Sequence, residues 1–164
     1  QVNNEAAINS SIAYKNLLFR NGSGKLDLSL DSYINLGTTH AGVGAGLLFR
    51  TGNINQLFHS ASTESMVSNR TSSKNLTERE FFFYAKPVLH FVAYNATIQG
   101  GLFRDNKGPV VFDAKPLVFS QQAGIIYAKK RWTADFSLMF KSREVKSIAK
   151  PHQYGSAALY YRFN

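Results

Sequence analysis

Residues 131–141, RWTADFSLMFK, alternate strictly: Trp132, Ala134, Phe136, Leu138 and Phe140 fall on one parity, Thr133, Asp135, Ser137, Met139 and Lys141 on the other. Successive side chains of an extended chain point to opposite faces, so this is a strand period with one large apolar face and one polar, charged face. The same alternation recurs at Leu26, Leu28, Leu30, Ile34 and Leu36, set against Asp27, Ser29, Asp31, Tyr33 and Asn35. It returns near the end, where Gly155, Ala157, Leu159, Tyr161 and Phe163 alternate with Tyr154, Ser156, Ala158, Tyr160 and Arg162. Strands buried on both faces would read as continuous Val/Ile runs, which are absent. An antiparallel sheet is therefore predicted, either packed on a soluble core or forming a membrane barrel with lipid outside and water inside.

Extending this reading along the chain predicts strands over 7–19, 25–37, 41–51, 79–103, 116–129, 131–142 and 153–163. NGSG at 21–24 and KKR at 129–131 read as tight reversals, and polar connections fall at 52–78, 104–115 and 143–152. The 79–103 stretch is long for one strand, and a break at Asn95 would make the count eight instead of seven. Eight strands would put all three long connections on one side, the habit of outer-membrane barrels; seven would send 52–78 to the other side. Eight strands would also suffice for a small closed barrel.

Length and charge narrow the picture only partly. A chain of 164 residues is one domain, and its 13 Phe and 8 Tyr suit the aromatic girdles of a membrane barrel. No apolar run approaches the ~18–20 residues of a transmembrane helix, but a barrel strand needs only about 9–11 alternating residues. The net charge of +9 is scattered, with one contiguous cluster at Lys129, Lys130 and Arg131, and no nucleic-acid motif accompanies it, so no nucleic acid is expected as partner. Basic surface also suits phosphorylated lipid headgroups. Cysteine is absent, which removes disulfide, zinc-thiolate and thiol-nucleophile chemistry. Five Asn-x-Ser/Thr sites, at Asn9, Asn21, Asn69, Asn75 and Asn95, are accounted for by the abundance of these residue types.

At 81–104, FFFYAKPVLHFVAYNATIQGGLFR, the chain resembles the lipid A 3'-O-deacylase family of outer-membrane barrels. Tyr84, Lys86 and Pro87 match its Y-x-K-P strand, and Val92, Tyr94, Asn95, Ala96, Thr97, Ile98, Gln99, Gly100, Gly101, Leu102 and Phe103 match the stretch that follows. Gln1, Asn4 and Glu5 match a Q-x-x-N-E element, and Arg50 and Gly52 close a Gly-rich strand pair. The resemblance implies an all-β, antiparallel transmembrane barrel of about twelve strands. Residues 1–164 would then be the C-terminal part of one barrel domain, contributing seven or eight strands. It also implies the bacterial outer membrane as location, outer-membrane lipid as surroundings, lipid A of lipopolysaccharide as substrate, Ca2+ as cofactor, and a monomer. The family's catalytic histidine and calcium ligands lie before the Q-x-x-N-E element, so the resemblance places no catalytic residue and no metal ligand in this chain.

The residues themselves offer weak candidates beside that. His90 shares the parity of Lys86 and so points to the polar interior, where a hydrogen-bonded spacer is the ordinary role and a general base the sharper one. His40, His59 and His152 fall in turns or loops. Ser10, Ser29 and Ser137 share the polar parity near Asp27, Asp31 and Asp135, but no nucleophile motif singles one out. Asn95, Thr97 and Gln99 share a parity and could line a polar pocket wall, with Gly100 and Gly101 marking a bulge or close backbone approach. Gln1, Asn4 and Glu5 are family-motif residues of unassigned role. By the same resemblance Trp132, Phe136, Leu138 and Phe140 face lipid while Asp135 and Lys141 face the lumen. A non-enzymatic small barrel and a soluble barrel binding an apolar ligand are the rival readings.

Overall fold

The computed structural model describes residues 7–60, 78–100, 112–146, 150–161 and 163. Within them the chain forms seven strands, β1 (Asn9–Arg20), β2 (Leu26–Gly37), β3 (His40–Asn53), β4 (Arg79–Asn95), β5 (Leu117–Lys129), β6 (Trp132–Lys141) and β7 (His152–Tyr161). They make one sheet in sequence order, every pair antiparallel. β1 and β7 are its two edges. No described helix is long and apolar enough to cross a membrane; the strands, at 10 to 17 residues, have the length to do so.

Local chemistry sets the reversals. Asn21 Oδ1 accepts from the Lys25 and Leu26 amides and so closes the β1–β2 turn. The β5–β6 hairpin turns on Lys130 and Arg131, with Lys130 left-handed at φ 54°. The break at Asn95 is real, but an eighth strand does not follow among the described residues. Asn95 Oδ1 instead accepts from the Thr97 amide and caps a four-residue helical turn, α1 (Ala96–Gln99). The connection after β3 therefore leaves the sheet at the end of the NGSG turn, opposite the connections after β4 and β6. The eight-strand arrangement with all long connections on one side is corrected on this point. At the other end, the bridge Ala114–Val145 ties the two remaining long connections together.

Alternation decides what each face meets. Phe136 and Leu138 are 60% and 71% exposed, whereas Thr133 and Ser137 between and beside them are buried. A second outward apolar row, further along the strands, runs in register from Leu117 through Phe91, Val43 and Ile34 to Ile12. Trp132 and Tyr161 meet at 4.8 Å, their rings tilted by 60°, at one end of this face, and Tyr161 meets Phe163 edge-on at 4.9 Å. Ser10 departs from expectation: it lies across from Leu36 on the outward parity, two residues from Ile12.

The inward face has its own small core. After β3 the chain folds back so that Ile54, Asn55, Leu57 and Ser60 are buried, Leu57–His59 forming a 3-10 turn. Ile54 packs with Phe82, Tyr84, Ile126 and Leu48. Gly52, at φ 139°, makes this return possible: a Cβ there would strike the Phe81 carbonyl and Phe82. This end of the inner wall thus carries an apolar cluster beside its charged groups beneath a cover, where alternation alone predicts open polar lining.

Candidate functional site

Two clusters occupy the inward face. The first is a charged hub at the NGSG end. Arg50 and Asp27 are both fully buried, with Nε donating to Oδ1 at 2.9 Å and Nη2 to Oδ2 at 2.6 Å. Such a two-pronged pair is the geometry in which a buried ion pair repays its desolvation. Arg20 adds a longer contact to Asp27 at 3.4 Å and donates to the Ile54 carbonyl at 2.9 Å. Arg50 also lies over the Phe82 ring at 5.5 Å, and Glu80 accepts from the Asn55 amide at 2.8 Å. The hub pins the returning segment 54–60 to the wall; its polar valences are spent on that task.

The second cluster sits nearer the middle of the strands. Tyr33 on β2, Gly44 on β3 and His90 on β4 are in register on the inward face. Because Gly44 has no side chain, the Tyr33 ring lies over it and reaches His90; a Cβ at Gly44 would collide with that ring. The Tyr33 hydroxyl is 2.5 Å from His90 Nδ1, and His90 Nε2 is 2.7 Å from Ser120 Oγ on β5. Asp31, Lys86, Val88, Gln122 and Met139 join these three around a cavity of about 140 Å³. Lys86 is paired with Asp31 across β3. Gln122 Nε2 donates to Tyr84 Oη at 3.0 Å and to Ser137 Oγ at 3.2 Å, and Tyr84 in turn donates to Asp135 at 3.1 Å.

Of the residues singled out from sequence, His90 faces inward with Lys86 as expected, and it is bonded on both ring nitrogens. Asp135 and Lys141 lie on the inward parity. Among the described residues, Asn95, Thr97 and Gln99 bond to one another. They serve α1: Asn95 Oδ1 also accepts from Thr97 Oγ1 at 2.6 Å, and Gln99 Oε1 accepts from the Asn95 amide at 2.9 Å. Gly100, at φ 81°, ends that turn and accepts from the Tyr94 hydroxyl, so it is a helix terminus and not a strand bulge. Gln1, Asn4, Glu5 and Gly101 lie outside the described residues. His40 and His152 open β3 and β7, and His59 sits in the 3-10 turn. Ser29 Oγ is buried with no hydrogen-bond partner among the described residues. Tyr33 and Ser120 were not singled out, because their meeting with His90 depends on strand register, which periodicity does not carry.

Among the described residues no three Asp, Glu or His side chains converge to hold a metal ion. Asp27 and Asp31, two of the buried carboxylates, are neutralised by Arg50 and Lys86. The donor set here does not fit calcium.

A sequential antiparallel meander with an exposed apolar face, an aromatic row and a bonded polar face is the wall of an outer-membrane β-barrel. The family described as outer membrane protein LpxR matches residues 1–163, and the chain belongs to it. Among solved structures, LpxR from Salmonella typhimurium superposes with a TM-score of 0.64 at 16% sequence identity. The match covers 96% of this chain and 52% of that one, so the chain spans about half the length of that relative. No curated protein matches the sequence. The soluble-barrel reading is excluded, and the chain is a bacterial outer-membrane protein.

Proposed function

We propose that the barrel to which this wall belongs removes the 3'-linked acyl chain of lipid A by ester hydrolysis in a calcium-dependent reaction. The match to the LpxR family along residues 1–163 carries this reading. In it, the seven strands supply wall and lipid-facing surface, and the acting groups and calcium ligands come from residues outside this chain. The exposed outward face, with Phe136, Leu138 and Leu159 unshielded, supplies the contact with outer-membrane lipid that a lipid A substrate would share.

The test is to present lipid A to the full-length parent and to the isolated chain, with calcium or a chelator, and read products by mass. The expected result is loss of one 3'-linked acyl group by the parent with calcium, none with chelator, and none with the isolated chain. Deacylation by the isolated chain would overturn the placement of the site, and an inactive parent would overturn the activity.

A further inference from the structure

We infer that Ser120, with His90 as its base and Tyr33 orienting the imidazole, is a second, lumenal nucleophile able to take an acyl or phosphonyl group from a small ester. Three observations combine. The Ser120 hydroxyl lies 2.7 Å from Nε2, within the reach a base needs to accept its proton. The other ring nitrogen is engaged at 2.5 Å by the Tyr33 hydroxyl. With Nδ1–H donating to the Tyr33 oxygen, Nε2 carries the lone pair and accepts from Ser120; this is the nucleophile, base and orienting group of the serine hydrolases with a phenol in the third place. All three line the same cavity.

The register makes this arrangement costly to obtain by chance. Tyr33 reaches His90 only because position 44 is glycine, and the reach spans a whole strand. A histidine that needed only a spacer's hydrogen bond could find one on a neighbouring strand. Ser137, also inward and buried, has Gln122 as partner and no histidine, so it stands as an internal control.

The chemistry balances without a further reagent. Ser120 Oγ attacks the carbonyl carbon while its proton passes to His90 Nε2, and the oxyanion forms beside Lys86 Nζ, a donor on the same cavity that keeps N–H groups beyond its pairing with Asp31. The C–O bond to the alcohol breaks and the His90 proton leaves with the alkoxide. Water, deprotonated by His90, then releases the acid and restores Ser120. The cavity, of about 140 Å³, suits the acyl group of a short-chain ester, which is the substrate class the site would take. This site is separate from the lipid A activity proposed above and independent of calcium.

The test uses the full-length parent folded in detergent, a small fluorophosphonate as probe, and peptide mass mapping, with chelator present throughout. Fluoride leaves as Oγ bonds phosphorus, so the adduct mass identifies the site without reference to any deacylation. The expected result is an adduct on Ser120 and none on Ser137, a labelling rate reduced at least ~100-fold in His90→Gln, and reduced less in Tyr33→Phe. Gln keeps a hydrogen bond to Ser120, and retained heat-modifiable mobility of the variant in electrophoresis verifies its fold. No adduct on Ser120 in the folded wild-type protein overturns the inference, as does an equal labelling rate in the folded His90→Gln variant.

Discussion

On the outward face of β6, Phe136 and Leu138 stand exposed with nothing packed over them, while Ser137, one residue along, is buried and hydrogen-bonded to Gln122. Two faces of one strand thus solve different solvation problems. Outside, the strands present aliphatic and aromatic groups that ask nothing of their surroundings but an apolar phase. Inside, a charged hub at one end and a hydroxyl, imidazole and amide network further along satisfy one another. The contrast explains why a chain of mean hydropathy −0.21 can line a bilayer: apolar groups are sorted by parity, not gathered into runs. The inner face is itself divided. At the hub, Arg50 and Asp27 pair and, with Arg20, hold segment 54–60, whereas around His90 the groups border open volume.

The largest effect is expected from breaking the inner face at its hub. Asp27→Ala would leave Arg50 buried without its carboxylate, which costs about 3–5 kcal/mol. Urea unfolding of the full-length parent in lipid vesicles should show a loss of that order, and a change under 1 kcal/mol would mean that the hub does not hold the wall. Next comes the outer face. Phe136→Arg places a charge in lipid and should cost roughly 2–4 kcal/mol near the bilayer midplane. Met139→Arg, on the opposite parity beside the inner cavity, avoids that term and should cost less. Folding yields of the two variants in bilayers measure the difference; equal yields would contradict the facing of β6.

Strand positions were legible in the sequence because period two is a local property: six of the seven expected strands differ from the observed ones by at most two residues at either end. The exception, 79–103, stops at Asn95 because the Asn95 side chain can bond its own helical turn as readily as a strand could continue, and residue type alone does not decide that contest. The inward placement of His90 was legible from its parity with Lys86. Its partners were not, since Tyr33 lies 57 residues away and Ser120 lies 30, and only register brings them together. Arg50 and Gly52 were visible as a motif, but their reasons appear only in space: one pairs with Asp27, the other lets the chain turn back over the wall. The folded-back cover at 54–60 left no period to read, because its burial follows from a reversal and not from alternation.

The claim on which all this rests is that alternate residues of these strands face lipid and lumen. The chain has no cysteine, so single cysteines can be placed in turn at residues 136, 137, 138 and 139 and spin-labelled with no background from residues 1–164. Paramagnetic relaxation by oxygen, which concentrates in the bilayer, and by a water-soluble nickel chelate should be measured on the full-length parent in vesicles. High oxygen and low nickel accessibility is predicted at 136 and 138, with oxygen accessibility falling sharply at 137 and 139. A smooth profile across the four positions, or oxygen maxima at 137 and 139, would contradict the account.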